Sequence, residues 1–228
     1  MRRAIQHDLR MGPRGRRRDE ALLEMVFTLA CRYAGQAPGP SALVPEVRQA
    51  LDADAGWGRI LNYLRFLDGT LLVRLIPPFE LRLKKRRGYA KICLCDHALR
   101  ASWLQEPIPI DGEGLQAHPD LHDLAGRIAA SACGQFFASV PDLGVAHHPE
   151  RGDLPEVDFV LTVGTQRIPV EVKYRRRIDF SDTLGLRAFL ERSVHQAPFG
   201  LLVTLRDGVR VDDPRIIPIS LASLLWMR

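Results

Sequence analysis

Apolar residues recur at every third or fourth position in three segments near the start of the chain, which is the period of an amphipathic helix. The first segment follows Asp19, a suitable N-cap, the second covers residues 41–51, and the third begins near Gly56. After Gly69 the pattern changes to that of strands, interrupted by a turn at residues 84–88. The pattern predicts three helices followed by a β-hairpin.

This order of elements is that of a winged helix, a variant of the helix-turn-helix motif that binds DNA. In such a module the last helix can enter the major groove, and a basic hairpin turn can lie on phosphates. The cationic side chains at these positions are Arg59 and Arg65 in the third helix, and Lys84, Lys85, Arg86 and Arg87 in the turn. They predict contact with nucleic acid. The alternative is that the same fold serves as a packing or protein-interaction module.

The second half of the chain predicts an α-β-β-β-α-β order, followed by one more strand and helix. Prolines and glycines between residues 105 and 119 indicate a linker before it. The predicted organisation is therefore a basic arm at 1–18, a winged-helix domain at 19–104, the linker at 105–119 and a second domain at 120–228. The fold class expected from this order is α+β or α/β.

One segment of the second half, EVDFVLTVGTQRIPVEVKYRRR at residues 156–177, carries charges within two apolar strands. A turn at Gly164 would pair the strands, so that Asp158 lies opposite Glu171 and Lys173 at one end of the hairpin. Two carboxylates suit a hard cation such as Mg2+ or Mn2+, and a lysine can stabilise charge on a phosphate. The pattern predicts a phosphodiester-cleaving site. The alternative is an ion pair between strand ends.

This arrangement resembles the PD-(D/E)XK nuclease superfamily, which has a restriction-endonuclease-like α-β-β-β-α-β core. Asp158 matches its first carboxylate, and Glu171-Val172-Lys173 matches its E-x-K half. The resemblance implies catalytic roles for Asp158, Glu171 and Lys173, with Asp158 and Glu171 as the metal ligands.

Almost the whole chain, from about residue 5 onward, resembles the C-terminal region of bacterial and archaeal AAA-type ATPases known as domain of unknown function 4143. The resemblance rests on LLEMVFTLACRYAG with SALVPEV, ILNYLRFLDGTLLVRLIPP, AKICLCDHALRA, HDLAGRIAASACGQFF and, most specifically, residues 156–177. It implies an association with an ATPase partner.

The chain departs from that family pattern in two ways. No G-x-x-x-x-G-K-[ST] motif occurs, so no nucleotide is expected to bind in that manner, and the chain is either a stand-alone relative or part of a longer protein. The family also carries a glutamate in its linking helix where this chain has Ala130. Related nucleases use such a carboxylate to hold the metal, so this difference bears directly on catalysis.

The charge and the composition of the chain limit the classes of partner that it is expected to bind. The formal net charge is +5, and an arginine run of Arg175, Arg176 and Arg177 follows the E-x-K motif, where it could steer phosphates. The N-terminus lacks the apolar core of a signal peptide, and no apolar run approaches the roughly 20 residues of a membrane span. DNA is the expected partner, with no membrane contact.

The cysteines and histidines predict no zinc site. None of the four cysteines forms a CxxC pair, and Cys93 and Cys95 are interpreted as buried strand thiols, as in the reducing cytoplasm. His118 and His122 have helical spacing, but Pro119 separates them. The expected location is therefore cytoplasmic, and the oligomeric state is left open.

Two functions follow from the sequence. The first is a DNA-binding protein with a magnesium-dependent PD-(D/E)XK-type nuclease domain, favoured by the retained Asp158, Glu171 and Lys173. The second is a catalytically degenerate nuclease fold that acts as a DNA-binding or protein-docking tail of an ATPase system, favoured by Ala130.

Overall fold

The structure, a computed structural model, describes residues 19–51, 55–81, 88–109, 112–150, 152 and 154–227. The predicted basic arm at 1–18 and the hairpin turn with Lys84, Lys85, Arg86 and Arg87 lie outside the described residues.

Three helices and a two-stranded antiparallel sheet form the first half. Their bounds are α1 Glu20–Arg32, α2 Pro40–Leu51, α3 Trp57–Gly69, β1 Val73–Ile76 and β2 Lys91–Leu94. Asp19 caps α1, as its position predicts, by accepting a hydrogen bond from Leu22 N at 3.1 Å. The apolar faces of the helices bury one core that includes Phe27, Leu43 and Leu67. The helical periodicity thus predicted this packing.

The second half is a five-stranded mixed sheet with helices on both faces. Its elements are α5 Gly112–Ala117, α6 His122–Ala138, β3 Gly144–His148, β4 Val157–Val163, β5 Gln166–Lys173, α7 Leu184–Leu190, β6 Gly200–Thr204, β7 Ile216–Ser220 and α8 Leu221–Trp226. The strand order is β3-β4-β5-β6-β7. The pairs from β3 to β5 are antiparallel and those from β5 to β7 are parallel. The fold is therefore mixed α+β, as the element order predicted.

Helix α6 joins the two sheets. It packs with Phe159 of the large sheet and with Ile76 and Cys93 of the small sheet in a single apolar cluster. Gly134 allows this close approach, because a Cβ there would lie 2.4 Å from the Cys93 sulfur and 2.9 Å from the Phe159 ring. The opposite face of the large sheet is covered by α7. Helix α6 thus packs against both halves of the chain.

Two helices were absent from the sequence prediction. Helix α4, His97–Leu104, starts where a turn was expected, and Asp96 caps it by accepting a hydrogen bond from Ala98 N at 2.8 Å. Helix α5 lies within the predicted linker, whose glycines and prolines suggested no regular structure. The division into two domains at 105–119 remains a prediction. Within the described residues, no helix combines the length and apolar character needed to cross a membrane.

Candidate active site

A cleft of about 1040 Å³ opens at the end of the large sheet where β4 begins and β5 ends. Its walls are one face of α6, the segment 181–185 before and within α7, and Gly35 and Gln36 after α1. Gly35 has φ +80°, and a Cβ there would lie 2.1 Å from the Arg127 carbonyl oxygen, so only glycine fits against α6. The first half of the chain therefore completes the cleft.

The three residues predicted from the hairpin, Asp158, Glu171 and Lys173, all line this cleft. The β4–β5 ladder runs from Val163–Gln166 to Phe159–Val170 and is not continued at Asp158. Instead, the Asp158 carboxylate bonds to the backbone of β5, since its Oδ2 accepts a hydrogen bond from Val172 N at 3.0 Å. This contact places Asp158 beside Glu171, as the predicted register requires.

A fourth charged residue, Lys91 of β2, reaches the site and was not predicted. Its side chain is 2% exposed, and its Nζ lies 2.7 Å from Asp158 Oδ1 and 3.3 Å from Glu156 Oε1. The alternation of side chains along a strand indicates that Lys91 is buried, because it lies two residues before the fully buried Cys93 and on the same face. A lysine on a buried strand face requires an anionic partner. The small sheet thus supplies a cation to the carboxylates of the large sheet.

Lys91 keeps Asp158 ionised. Burial by itself raises the pKa of Asp158, but the charge of Lys91, its hydrogen bond and that of Val172 N hold the pKa below its ordinary value. Burial likewise lowers the pKa of Lys91, while the charges of Asp158 and Glu156 outweigh it and raise the pKa above its ordinary value. Asp158 and Lys91 are therefore both charged at neutral pH.

Glu171 has the opposite character. Burial and the negative charge of Asp158 raise its pKa to about 8, against the lowering effect of Lys173, whose Nζ lies 2.7 Å from Glu171 Oε1. Its other oxygen, Oε2, is buried and has no hydrogen-bond partner among the described residues. A buried carboxylate oxygen without a donor is unfavourable, and a proton or a cation would satisfy it.

The cleft wall carries more negative than positive groups among the described residues. Five carboxylates line it, against three cationic side chains: Asp123, Glu156, Asp158, Glu171 and Asp182 against Arg127, Lys173 and Arg175. The described residues contain no group of three or more His, Cys, Asp or Glu side chains placed to hold a metal ion. Two carboxylates suffice for Mg2+, which usually keeps several of its waters. Asp158 and Glu171 are the pair that the sequence predicts as ligands.

Helix α6 presents Ala130 to the cleft, at the position where the resembled family carries a glutamate. Asp123 lines the same cleft seven residues earlier, which is about 10 Å along the helix axis. That separation makes Asp123 a poor substitute for the missing carboxylate.

The predicted phosphate-binding arginines differ in their surroundings. Arg175 lines the cleft and forms an ion pair with Asp182, while Arg176 donates a hydrogen bond to Gln116 of α5. Arg177 is exposed.

The predicted DNA-contacting arginines of α3 lie away from this run. Arg65 is exposed, and Arg59 pairs with Asp19 at 2.8 Å. The run at 175–177 therefore adjoins the cleft, and Arg59 already has an anionic partner.

The cysteines and histidines considered as zinc ligands lie in different parts of the fold. Cys93 and Cys95 are free thiols, and burial raises the pKa of Cys93 to about 12. His122 lines the cleft and its Nε2 lies 2.8 Å from the Leu115 carbonyl oxygen, whereas His118 precedes the short turn of 3-10 helix at Pro119–Leu121.

Glu171→Gln is expected to remove a pH-dependent loss of stability in the metal-free protein. The folded chain keeps a proton on Glu171 up to about pH 8, whereas an ordinary glutamate loses it near 4.5. The folded state thus binds more protons between these values, so its stability falls as pH rises from 4.5 to 8, by about 2 kcal/mol or more. Urea unfolding in EDTA at several pH values measures this slope. Equal slopes in Glu171→Gln, the wild type and the exposed control Glu150→Gln would contradict the assignment.

Comparisons with known proteins give little further information. No protein-family model matches the chain, and no curated protein matches it. Among solved structures, the crystal structure of protein VC1899 from Vibrio cholerae aligns over 91% of this chain and 55% of that chain, with 16% identity and a TM-score of 0.30. The chain therefore spans about half the length of that protein, and a TM-score this low transfers neither fold nor function.

Proposed function

We propose that this chain is a DNA-binding protein whose PD-(D/E)XK-type site hydrolyses phosphodiester bonds with Mg2+ or Mn2+. The observation that carries the proposal is the meeting of Asp158, Glu171 and Lys173 in one cleft, with Glu171 Oε2 buried and without a hydrogen-bond donor. These are the side chains that such chemistry requires, two carboxylates for a cation and an ammonium for a phosphate.

Each residue has a distinct task in this proposal. Asp158 and Glu171 hold the cation, which when bound lowers the pKa of a water ligand and neutralises charge on the phosphate. Lys173, 31% exposed at its side chain, is accessible from the cleft and either orients the attacking water or stabilises charge on the phosphate. Arg175 at the cleft wall steers the phosphodiester backbone toward them.

The first half of the chain acts, in the same proposal, as a winged helix that holds DNA. Three helices followed by an antiparallel strand pair, β1 and β2, support this assignment. Arg65 of α3 is exposed and available for phosphate contact, and the sequence adds four cations at residues 84–87, which lie outside the described residues. The assignment to the C-terminal region of AAA-type ATPases, with an ATPase partner, belongs to this proposal as well.

A second candidate function is a DNA-binding or protein-docking module without catalysis. Two observations favour it. The Lys91 ammonium already neutralises Asp158, so that carboxylate needs no metal to balance its charge. Ala130 leaves the α6 wall of the site without a carboxylate ligand. In this alternative the cleft is retained for its shape and charge alone.

Divalent metal is expected to raise the melting temperature of the wild-type chain, because a ligand that binds only the folded state stabilises it. At about 100 times the dissociation constant, the gain is about 2.7 kcal/mol. Asp158→Asn and Glu171→Gln should each remove the shift, whereas Asp142→Asn, at an exposed carboxylate outside the cleft, should keep it. Thermal melts across an Mg2+ and an Mn2+ titration check this.

Cleavage assays on single- and double-stranded DNA with either metal then separate the two functions. Metal-dependent cleavage that Asp158→Asn abolishes supports the hydrolase. Metal binding without cleavage supports the module, and no metal-induced shift in the wild type contradicts the metal site.

A further inference from the structure

A large aromatic side chain stands exposed beside the cleft. Phe180, the first residue of a short 3-10 helix at Phe180–Thr183, is 65% exposed. The next two residues, Ser181 and Asp182, line the cleft, and so does Leu184, which is 45% exposed. Single exposed apolar residues are common on protein surfaces. Phe180 itself lines a separate pocket of about 110 Å³ with Thr183 and Arg187, so the segment that forms the cleft wall also carries an exposed ring next to that wall.

The ring of Phe180 is held in place from one side. The guanidinium carbon of Arg187 lies 4.7 Å from the ring centroid. Arg187 is itself anchored, because its Nε donates to Thr183 Oγ1 at 3.0 Å and its Nη1 donates to Asp213 Oδ2 at 3.2 Å. Thr183 Oγ1 in turn donates to the Phe180 carbonyl oxygen at 2.9 Å. The aromatic surface is therefore preorganised, which reduces the entropy lost when a ligand stacks on it.

Cationic side chains lie close to this ring. Arg187 and Arg210 line the same pocket, and Arg175, the first of three exposed arginines after Tyr174, pairs with Asp182, two residues from Phe180. An aromatic ring beside a row of cations suits a strand of nucleic acid whose backbone follows the charges while a base stacks on the ring. Bases within a duplex already stack on their neighbours, so only an unpaired base can present its face to a side chain.

We infer that Phe180, backed by Arg187, is a stacking platform for an unpaired nucleobase, and that the nucleic acid entering the cleft is single-stranded. The inference rests on the DNA-binding part of the proposed function and names its substrate class. Stacking of a base on an aromatic side chain contributes about 1–3 kcal/mol. Loss of the ring should therefore weaken binding of a single strand roughly 5- to 150-fold.

Fluorescence anisotropy with a labelled single-stranded DNA oligonucleotide, in EDTA and without divalent metal, tests the platform. Phe180→Ala is expected to weaken single-strand binding by that factor and to leave duplex binding unchanged. Phe180→Trp should retain the affinity, because tryptophan offers a larger ring. Val194→Ala is the matched control, at an apolar side chain that is 62% exposed and lines neither the cleft nor the pocket beside Phe180. Equal single-strand affinity of Phe180→Ala and wild type would overturn the platform.

Two further ligands identify what the ring recognises. A strand in which abasic nucleotides replace the bases keeps its phosphates, so it should bind the wild type as weakly as the intact strand binds Phe180→Ala. Undiminished binding of the abasic strand would overturn stacking. An RNA strand of the same sequence identifies the sugar, since tighter binding with the same dependence on Phe180 supports the platform and assigns RNA as its ligand. All these measurements omit metal, so a failure of metal-dependent cleavage would leave the platform standing.

Discussion

Replacing Lys91 by methionine is expected to lower the free energy of unfolding by about 3–5 kcal/mol, the usual effect of removing one partner from a buried ion pair. Methionine preserves most of the apolar stem but leaves Asp158 without the ammonium 2.7 Å away. The Asp158 side chain is 18% exposed, so the cleft solvates it only in part. Urea unfolding at neutral pH in EDTA measures the loss.

Three comparisons show whether this loss comes from the unpaired charge. The double change Lys91→Met with Asp158→Asn should recover most of the stability, since neither partner is then charged. Arg32→Met removes an ion pair at the surface, in which the side chains of Arg32 and Glu46 are 56% and 32% exposed. This change should lower the free energy of unfolding by less than about 1 kcal/mol. Added Mg2+ should restore part of the stability of Lys91→Met, because a cation can take the place of the ammonium. A loss below 1 kcal/mol for Lys91→Met would contradict the pairing.

The meeting of Asp158, Glu171 and Lys173 could be predicted from the sequence because each step is local. Alternation along a strand places Glu171 and Lys173 on the same face, and the turn at Gly164 fixes which residues oppose each other. The register from Val163–Gln166 to Phe159–Val170 follows from that turn alone. Hairpin sites of this kind are therefore visible without knowledge of the rest of the fold.

The partners of those carboxylates could not be predicted in the same way. Lys91 is 67 residues from Asp158 in sequence, and the two meet because the small sheet packs against the large one, through α6 and through backbone hydrogen bonds between Pro77, Phe79 and His147. The pattern gave only the weaker signal that Lys91 precedes a buried cysteine on the same strand face. Gly35 likewise completes the cleft through a contact with Arg127 that no local pattern indicates. Long-range packing, and not secondary structure, determines the electrostatics of this site.

Lys91 and Ala130 have related consequences for the charge of the cleft. The resembled family carries a glutamate in the helix, whereas this chain has a methyl group there, and Lys91 of β2 adds an ammonium beside Asp158. Both features make the site less negative and weaken its attraction for a divalent cation. Restoring the helix carboxylate reverses one of them without touching Asp158, Glu171 or Lys173.

Ala130→Glu is therefore expected to strengthen metal binding. Ala130 is 5% exposed and lines the cleft wall. Without metal, a third carboxylate close to Asp158 and Glu171 should destabilise the fold by about 2–4 kcal/mol, through desolvation and repulsion. With Mg2+, the added ligand should tighten metal binding tenfold or more, about 1.4 kcal/mol. Thermal melts in EDTA and across an Mg2+ titration measure both effects.

Ala130→Gln is the matched control, because glutamine has nearly the same volume and no charge. It should reproduce the steric part of the destabilisation and leave metal affinity close to that of the wild type. If Ala130→Glu and Ala130→Gln respond equally to Mg2+, then the wall at Ala130 does not face the cation, and the alignment with the family glutamate is wrong. If Ala130→Glu cleaves DNA in the presence of metal and the wild type does not, the wild-type chain is the degenerate module, held together at Asp158 by Lys91 in place of a metal ion.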